Sequence, residues 1–348
     1  VMFWYWCCRM LMPREAGKFI SGVAKDVFIK GEGVTKVANI IAEAVKNGKL
    51  DPESFKQNEV LPLDKGLTNQ QLSDWIFLVD AINFNFWTPN GVPKYVVKHN
   101  GVKRAGYLGM VLAVNRAIDE GKPMYDPNYY SKLTVADLKN IFRSETKSLL
   151  PLFEERVKVL KAVGEKLIEK YDGSFLNVLK LAEGSAMKLV KLIMDEFEPF
   201  RDTAVIEGQE VALLKRAQIV AADIWMLYCG QDLGSFADID SLTMFADYRV
   251  PQAMVHFGAL KYSTSLMNKL ENEYLFKSGE REEVEIRGAS IHATELIVAE
   301  TRKILESLGL SPNGINSIKV DFFLWDYRVS NSKMLEPVPY HRVRCIYY

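Results

Sequence analysis

The sequence predicts a mainly α-helical protein with one or two small β-hairpins, and three observations lead to this fold class. Apolar residues recur at helical spacing through most of the chain, as they do in residues 34–45. Glycines such as Gly48 and Gly121 follow the periodic segments at the points where helices are expected to end. Signals for β-structure are confined to two short stretches, so we expect no large sheet.

The predicted helices follow one another closely along the chain. In order, they cover residues 34–45, 72–83, 107–120, 135–142, 151–171, 174–182, 186–197, 210–228, 251–260 and 282–308, and a last long helix follows residues 311–314. Thr134 is placed to cap one of these helices through its hydroxyl oxygen. Asn100-Gly101 lies between two β-prone runs and predicts a hairpin. Residues 203–213, with Gly208 in the middle, fit either a second hairpin or the opening of the helix at 210–228.

The composition is that of a globular chain without a surplus of charge. Of the 348 residues, 48% are hydrophobic and 25% are charged, and 44 basic residues balance 44 acidic ones. A protein that binds many phosphates of a nucleic acid normally has a basic surplus. We therefore expect no polymeric nucleic acid as a partner, whereas a single nucleotide is compatible with this charge.

The cysteines and histidines show neither a disulfide pattern nor a metal-binding pattern. Cys7 and Cys8 are adjacent, Cys229 and Cys345 stand alone, and the four histidines lack HxxH or HxxxH spacing. We expect no disulfide framework and no bound metal, and a reducing, cytoplasmic location fits this cysteine usage best.

The first residues differ in composition from the remainder of the chain. Residues 1–12 are rich in aromatics, but the apolar run is too short to span a bilayer, and no cleavage site follows it. We therefore expect no membrane attachment. The sequence favours a non-core extension over residues 1–12, with the functional start near Met10 or Met12, and a single domain over residues 13–348.

Two clusters combine acidic and aromatic residues. One covers residues 244–249 (MFADYR), and the other covers residues 321–327 (DFFLWDY). Carboxylates placed among large apolar side chains cost desolvation energy unless they have partners. A flat heterocycle that stacks on the rings and offers its polar edge to the carboxylates would supply such partners. The alternative is a pair of amphipathic helix faces on which each aspartate is a cap or an ion-pair partner, and both interpretations stay open here.

Helical spacing relates the residues of the second cluster to one another. In a helix over residues 316–327, Asp321 and Trp325 share one face, and Phe322 and Asp326 share another. Such a helix could offer two pairs of an aromatic ring and a carboxylate to the rim of one pocket.

Two basic pairs could each neutralise a phosphate group. They are Lys215 with Arg216, and Arg342 with Arg344 near the C-terminal end. Each pair could equally be a solvated basic face, and the sequence does not choose among the four residues.

Common catalytic signatures are absent from the sequence. It contains no GxGxxG after a strand, no GxSxG, no HExxH and no phosphate-binding P-loop. Hydride transfer and P-loop chemistry are therefore poorly supported.

A family resemblance is carried by ordered strings along the chain. These are residues 14–20 (REAGKFI), 83–87 (NFNFW), 113–121 (AVNRAIDEG), 215–218 (KRAQ), 244–249 (MFADYR), 283–288 (EVEIRG), 324–327 (LWDY) and 341–348 (HRVRCIYY). In these strings the sequence resembles the queuosine salvage family, whose members are queuosine 5′-phosphate N-glycosylases/hydrolases. The resemblance runs from about residue 13 to the last residue, in order and with few length changes.

The resemblance implies an activity, a fold and a substrate class. The implied activity is that of an N-glycosidase, which hydrolyses the N-glycosidic bond of queuosine 5′-monophosphate and releases queuine for reuse in tRNA. The single domain at 13–348 would then be the catalytic domain, with a fold like that of helix-hairpin-helix DNA glycosylases. The implied partner is a small nucleotide, and the reaction requires no metal or organic cofactor.

The resemblance also implies roles for individual residues. Asp321 matches the catalytic aspartate of the family, described as a nucleophile or transition-state stabiliser. The positions that match base-binding residues are Phe245, Asp247, Phe322 and Asp326, and a further base contact is expected around Asn58. Relatives carry a tyrosine at the position of Phe322, so a hydrogen bond from that hydroxyl is absent here.

Two other functions are compatible with the same residues. One is a base glycosylase that acts on polymeric DNA or tRNA, which the zero net charge disfavours. The other is a non-catalytic protein that binds or carries queuine.

Overall fold

The computed structural model describes residues 9–51 and 60–348, which form two compact units. Among these residues, unit 1 comprises 9–50, 202–215 and 240–343, and unit 2 comprises 51, 60–201, 216–239 and 344–348. Asn58 and residues 1–8 lie outside the described residues, so what the sequence predicts for them stays a prediction. The division into an extension at 1–12 and a catalytic domain at 13–348 also stays a prediction.

Helices dominate both units, and the predicted fold class is confirmed. Over the residues described, the helices are α1 (Pro13–Val23), α2 (Gly31–Lys46), α3 (Asn69–Ala81), α4 (Gly106–Asp119), α5 (Pro127–Tyr130), α6 (Val135–Ile141), α7 (Phe153–Lys170), α8 (Phe175–Leu181), α9 (Ala186–Glu196), α10 (Lys215–Leu227), α11 (Val250–Phe257), α12 (Thr264–Glu271), α13 (Arg281–Ser307), α14 (Ser317–Ser330) and α15 (Ser332–Leu335). Every predicted helix has a counterpart among them, whereas α1, α5, α12 and α15 were not predicted. The finer likeness to helix-hairpin-helix glycosylases stays a prediction.

The strands are short and occur in pairs. In the described residues they are β1 (Val27–Ile29), β2 (Val96–His99), β3 (Val102–Ala105), β4 (Thr203–Ile206), β5 (Gln209–Ala212), β6 (Leu260–Tyr262), β7 (Leu275–Phe276) and β8 (Arg342–Val343). The pairs β1–β6, β2–β3 and β4–β5 are antiparallel, and β7–β8 is parallel. The pairs β1–β6 and β7–β8 join segments that are far apart in the sequence. Local sequence patterns do not predict such pairs.

Both hairpins that the sequence offers are present. Asn100 and Gly101 have φ angles of 47° and 79°, which the tight turn between β2 and β3 requires. Glu207 and Gly208 have φ angles of 50° and 77° in the turn between β4 and β5. The predicted helix at 210–228 is therefore wrong over its first residues, because β5 occupies them and α10 begins only at Lys215.

In unit 1, helix α13 contacts α1, α2, α11 and α14. Its approach to α1 is close because glycine stands at the crossing on both helices. A Cβ atom on Gly288 would lie 2.5 Å from the side chain of Ile20, and one on Gly17 would lie 2.7 Å from that of Ile291. Such distances are shorter than van der Waals contact, so these glycines let the backbones approach.

Unit 2 contains an aromatic core and a fully buried arginine. The rings of Phe77 and Phe175 stack with their centroids 4.2 Å apart. Arg156 has no exposed surface, lies 4.4 Å from the ring centroid of Phe84, and donates hydrogen bonds to the carbonyl oxygens of Ile82 and Asn85. These bonds satisfy carbonyl groups of the segment that follows α3, where the backbone is not helical.

No helix within the described parts of the chain combines the length and the apolar composition that a membrane crossing requires.

Candidate active site

Helix α14 carries the second acidic-aromatic cluster and is anchored in unit 1 at its first turn. Asn316 caps the helix by accepting a hydrogen bond from the backbone N–H of Lys319 at 3.1 Å, and its amide donates to Asp240 at 3.0 Å. Ser317 donates to Glu295 of α13 at 2.6 Å. These contacts set the rotation of the helix about its axis. The side chains that α14 buries are Ser317, Ile318, Val320, Asp321, Leu324 and Arg328.

Asp321 is a deeply buried carboxylate, with 4% of its surface exposed. Its Oδ1 atom accepts a hydrogen bond from the backbone N–H of Phe245 at 3.0 Å. Burial raises the pKa of Asp321 well above its ordinary value, and the negative charge of Asp247 raises it further. The Phe245 N–H group and the positive charge of Lys215 act in the opposite direction. Unit 1 thus brings together the two clusters that the sequence singles out.

Asp247 has two roles in this arrangement. Its Oδ1 atom accepts hydrogen bonds from the backbone N–H groups of Arg249 at 2.7 Å and Val250 at 2.9 Å, at the start of α11. It therefore acts as a cap, which is the structural role that the sequence left open. Its charge nevertheless lies close enough to Asp321 to raise the pKa of that carboxyl group, so it is also part of the same cluster.

Two aromatic rings lie beside the carboxylates. The ring centroids of Phe245 and Phe322 are 5.9 Å apart and the ring planes meet at 71°, which is an edge-to-face contact. Phe245 is buried and Phe322 is partly exposed. Phe322 follows Asp321 in the chain, and the backbone N–H group of Phe245 binds the Asp321 carboxylate, so the residues that carry both rings are direct neighbours of Asp321.

Asp326 lies on the same helix but on a different side. It follows Phe322 by four residues, as the helical spacing predicts, and it follows Asp321 by five, which turns its side chain well away from that of Asp321. Asp326 has an exposed surface, yet partial desolvation raises its pKa. The close group in unit 1 is therefore Asp321 with Phe245, Asp247 and Phe322.

Lys215 joins this group through the cap of α10. The Asp202 carboxylate accepts the backbone N–H of Lys215 at 3.0 Å, at the first residue of the helix. Lys215 is 6% exposed, and its charge lowers the pKa of Asp321.

Arg287 is a residue whose role at the site the sequence does not reveal. It lies on α13, is 3% exposed, and donates its Nε–H group to the carbonyl oxygen of Ala246 at 2.9 Å. Its two terminal nitrogens bind the two Asp202 oxygens at 2.9 and 2.6 Å, and one also binds Glu283 at 3.2 Å. The available signal was the i, i+4 spacing of Glu283 and Arg287, which is common on exposed helices and does not indicate a buried site.

Buried His341 lies near this arginine and is uncharged. Burial lowers the pKa of His341 to about 3, and the positive charge of Arg287 contributes to the shift. At neutral pH, His341 therefore adds no positive charge beside the Arg287 network.

The other basic residues singled out by the sequence have structural partners. In unit 2, Arg216 is 1% exposed and donates to the carbonyl oxygens of Ala81 and Pro199. Arg344 lies 3.4 Å from the ring centroid of Trp87 and donates to its carbonyl oxygen at 3.0 Å.

In unit 1, Arg342 forms an ion pair with Glu273 and lies 5.3 Å from the ring centroid of Tyr340. Of the basic residues singled out in this unit, Lys215 is the one whose charge acts on Asp321.

A metal site is not evident in the part of the chain that the structure describes. Within residues 9–51 and 60–348, no three His, Cys, Asp or Glu residues are grouped so that they could hold a metal ion.

The fold and the site together define a mainly α-helical protein with a buried aspartate, Asp321. A second aspartate, a lysine and two phenylalanines belong to the same site. A sequence profile described as queuosine salvage protein matches residues 63–348. The chain belongs to the queuosine salvage protein family.

Relatives from distant organisms match the chain over nearly its whole length. A Mus musculus protein is 42% identical over 339 residues, which cover 97% of this chain and 99% of the relative. A Schizosaccharomyces pombe protein is 36% identical over 98% of this chain and 99% of its own length. A Sphaerobacter thermophilus protein is 34% identical over 93% and 94%, respectively. Each of the three is named queuosine 5′-phosphate N-glycosylase/hydrolase.

Proposed function

We propose that this chain is an N-glycosidase that hydrolyses the N-glycosidic bond of queuosine 5′-monophosphate and releases queuine for reuse in tRNA modification. The names of the full-length relatives support this substrate and reaction. The observation that carries the proposal is Asp321, a buried carboxylate held by a backbone N–H beside Asp247 and two phenyl rings. A buried carboxylate whose pKa is raised both by desolvation and by a second carboxylate is a candidate functional group.

Asp321 acts at the sugar. As the bond between C1′ and the base nitrogen breaks, its electron pair leaves with the base and positive charge develops on the ribose. The ionised carboxylate of Asp321 stabilises this charge. The oxygen of a water molecule forms the new bond at C1′, and a proton of that water passes to the nitrogen of the departing base, so that ribose 5-phosphate and neutral base are the products. Preorganised charge of this kind contributes about 3–4 kcal/mol to the stabilisation of a transition state.

Phe245, Asp247, Phe322 and Asp326 act on the base. The flat deazaguanine ring system stacks on a phenyl ring, which contributes about 1–3 kcal/mol for each base. Its adjacent N–H donors are accepted by one carboxylate, and the protonated amine of queuine pairs with the other. The N–H groups of Arg249 and Val250 occupy one oxygen of Asp247, so the contact with the base uses its second oxygen. Asn58 remains part of the proposed base site.

Lys215 is the favoured phosphate ligand among the four basic residues. Its positive charge acts on Asp321, which is expected of a residue that binds the 5′-phosphate of a ribose whose C1′ faces that carboxylate. The terminal nitrogens of Arg216 are bound to backbone carbonyl oxygens, and Arg342 is paired with Glu273. These contacts give both arginines a structural role, as do those of Arg344 with Trp87.

Incubation of the purified protein with queuosine 5′-monophosphate tests the reaction. We expect free queuine, detected by mass spectrometry, at rates proportional to enzyme concentration. No release at micromolar enzyme, with tight queuine binding in calorimetry, would instead favour the non-catalytic queuine-binding protein. Release from queuosine-containing tRNA but not from the mononucleotide would favour a glycosylase that acts on polymer.

Replacement of Lys215 by methionine is expected to reduce kcat/KM for the nucleotide about 10- to 100-fold more than for the nucleoside queuosine, because a charge-assisted contact with phosphate is lost. The ratio of kcat/KM between the two substrates is the readout, since loss of a positive charge beside Asp321 slows both alike. Lys261→Met, at an exposed position of β6, is the matched control and should leave the ratio unchanged. Equal slowing of both substrates would show that Lys215 does not bind the phosphate.

We also propose a cytoplasmic location and a mononucleotide as the only nucleic-acid partner. The balance of 44 basic and 44 acidic residues supports the second point, because a polymer-binding surface usually requires a basic surplus. The absence of a disulfide pattern among the cysteines supports the first. A filter-binding titration against tRNA and duplex DNA, with fluorescence imaging of the tagged protein in cells, tests both.

A further inference from the structure

The segment between Phe245 and Asp247 is held at three consecutive residues. The N–H group of Phe245 donates to Asp321, the carbonyl oxygen of Ala246 accepts from Arg287, and the Asp247 carboxylate caps α11. The segment has no regular secondary structure, so no ladder of backbone hydrogen bonds fixes its position. Its place relative to Asp321 therefore depends on these contacts together with the packing of the buried side chains of Phe245 and Ala246.

Arg287 connects this segment to the start of α10. Its guanidinium group binds both oxygens of Asp202, and the same Asp202 carboxylate caps Lys215. The Nε–H group of Arg287 points to Ala246 at the same time. The guanidinium group of Arg287 thus connects the Asp202 carboxylate, which caps Lys215, to the segment that carries Phe245.

The chemistry of this contact requires arginine. Arg287, Asp202 and Glu283 are 3%, 3% and 1% exposed, so the cost of desolvating three charges is high. Apolar residues of similar volume often stabilise a fold as well as a buried ion pair does. The planar guanidinium group of Arg287 instead fixes three partners in one geometry: its two terminal nitrogens bind Asp202, and its Nε–H group binds Ala246. A lysine ammonium group cannot reproduce this arrangement.

We infer that Arg287, through its fork with Asp202, is a positioning residue that aligns the Phe245–Asp247 segment and Lys215 with Asp321. The inference rests on the proposed function, because the residues it aligns are those assigned to the base, the phosphate and the sugar. Arg287 itself touches no reacting atom in this scheme.

Arg287→Lys tests this role, since it retains the charge and removes the fork. We expect a folded protein in which kcat/KM for queuosine 5′-monophosphate falls about 10- to 100-fold, the range that misplacement of reacting groups by about 1 Å produces. Queuine affinity, measured by calorimetry, should fall about 10-fold because Phe245 and Asp247 shift. Arg281→Lys on the same helix is the matched control: it replaces a guanidinium group that also makes three contacts, to Glu285, Glu207 and the carbonyl oxygen of Val23, and it should leave both values within about threefold of wild type.

The pH dependence of kcat/KM distinguishes positioning from general destabilisation. The N–H group of Phe245 lowers the pKa of Asp321, and Asp247 and Lys215 are the charged groups that act on it. When the segment shifts, both the Phe245 hydrogen bond and the charge of Asp247 change their effect on the pKa of Asp321, so the acid limb of the profile should move away from its wild-type position in Arg287→Lys. Loss of stability alone would leave the limb where it is in the wild type.

A folded Arg287→Lys variant with wild-type kcat/KM, queuine affinity and acid limb would overturn the inference. If that variant does not fold, Asp202→Asn decides, because it removes the fork while Arg287 keeps Glu283 as a partner at 3.2 Å. The same losses are then expected, and wild-type kinetics would again overturn the inference. Failure of the proposed function would appear separately, as an inactive wild-type protein and an inactive Arg281→Lys control.

Discussion

Asp321→Asn is expected to reduce kcat about 10²- to 10³-fold, because it removes the charge that stabilises the ribose cation. Asparagine has the same shape, and its side-chain oxygen can still accept the Phe245 N–H group that binds Asp321 at 3.0 Å. Queuine affinity should therefore remain within a few-fold of the wild-type value. Single-turnover release of queuine and calorimetric titration with queuine measure the two quantities.

The matched control for this variant is Asp74→Asn in unit 2. Asp74 is also buried, and desolvation raises its pKa to about 7, but it caps α8 through the N–H group of Phe175. Asp74→Asn should therefore leave turnover close to the wild-type rate. Near-wild-type turnover in Asp321→Asn would move the catalytic role to another residue.

The same Asp321→Asn variant should be more stable than the wild type at neutral pH. The pKa of Asp321 is raised in the folded state, so the unfolded chain ionises first as pH rises from the ordinary value of 3.8. The folded state consequently loses stability through this interval, and the loss is complete above the folded-state pKa. Thermal melts should show a higher Tm for the variant at about pH 8 and a smaller difference at about pH 4.

Asp247→Asn is expected to reduce queuine affinity about 10- to 100-fold and to shift the acid limb of kcat to lower pH. The first effect follows from losing a charged acceptor for the base, which contributes about 1.5–3 kcal/mol. The second follows because the charge of Asp247 raises the pKa of Asp321, which must be ionised to stabilise the ribose cation. Without that charge, Asp321 ionises at lower pH, and activity persists to lower pH.

The control for this shift is Asp326→Asn. Asp326 is exposed and lies on a different side of α14 from Asp321, so its replacement should not move the acid limb. It should weaken base binding, because Asp326 is one of the residues proposed to bind the base. In Asp247→Asn, the amide oxygen of the new side chain can still accept the N–H groups of Arg249 and Val250, so α11 should remain intact. Unchanged queuine affinity in Asp247→Asn would remove Asp247 from the base site, and an unmoved limb would rule out its coupling to Asp321.

Local patterns predict most helices and both hairpins because these elements depend on neighbouring residues. Helix α6 begins where Thr134 caps it, and the turn between β2 and β3 needs the two positive φ angles that Asn100 and Gly101 adopt. Long-range pairing leaves no such local signal. The pairing of Val27–Ile29 with Leu260–Tyr262 is one example. Helix α1 is missed for another reason: of its buried residues Pro13, Ala16, Gly17 and Ile20, only Ile20 has a large apolar side chain, so the periodic signal is weak.

The residue types of the site can be predicted, whereas their mutual geometry cannot. Aspartates among aromatics indicate a site at Asp321 and Asp247, and the resemblance distinguishes their roles. That the N–H group of Phe245 binds Asp321 across 76 residues of sequence depends on tertiary packing. The role of Arg287 is hidden for the same reason, since its partners Asp202 and Ala246 lie 85 and 41 residues away.

The order in which unit 1 is assembled has a consequence for biosynthesis. Its segments interleave with those of unit 2, and its pairings join Leu11 to Val211, β1 to β6, and β7 to β8. During translation, β1 must wait for residues 260–262, and β7 must wait for residues 342–343. Because the paired strands are far apart in the sequence, their pairing is slow, and apolar helix faces stay uncovered in the nascent chain until it occurs. Unit 1 can therefore complete its strand pairs only after residues 342–343 have left the ribosome, and until then the apolar surfaces of its early helices are exposed to aggregation.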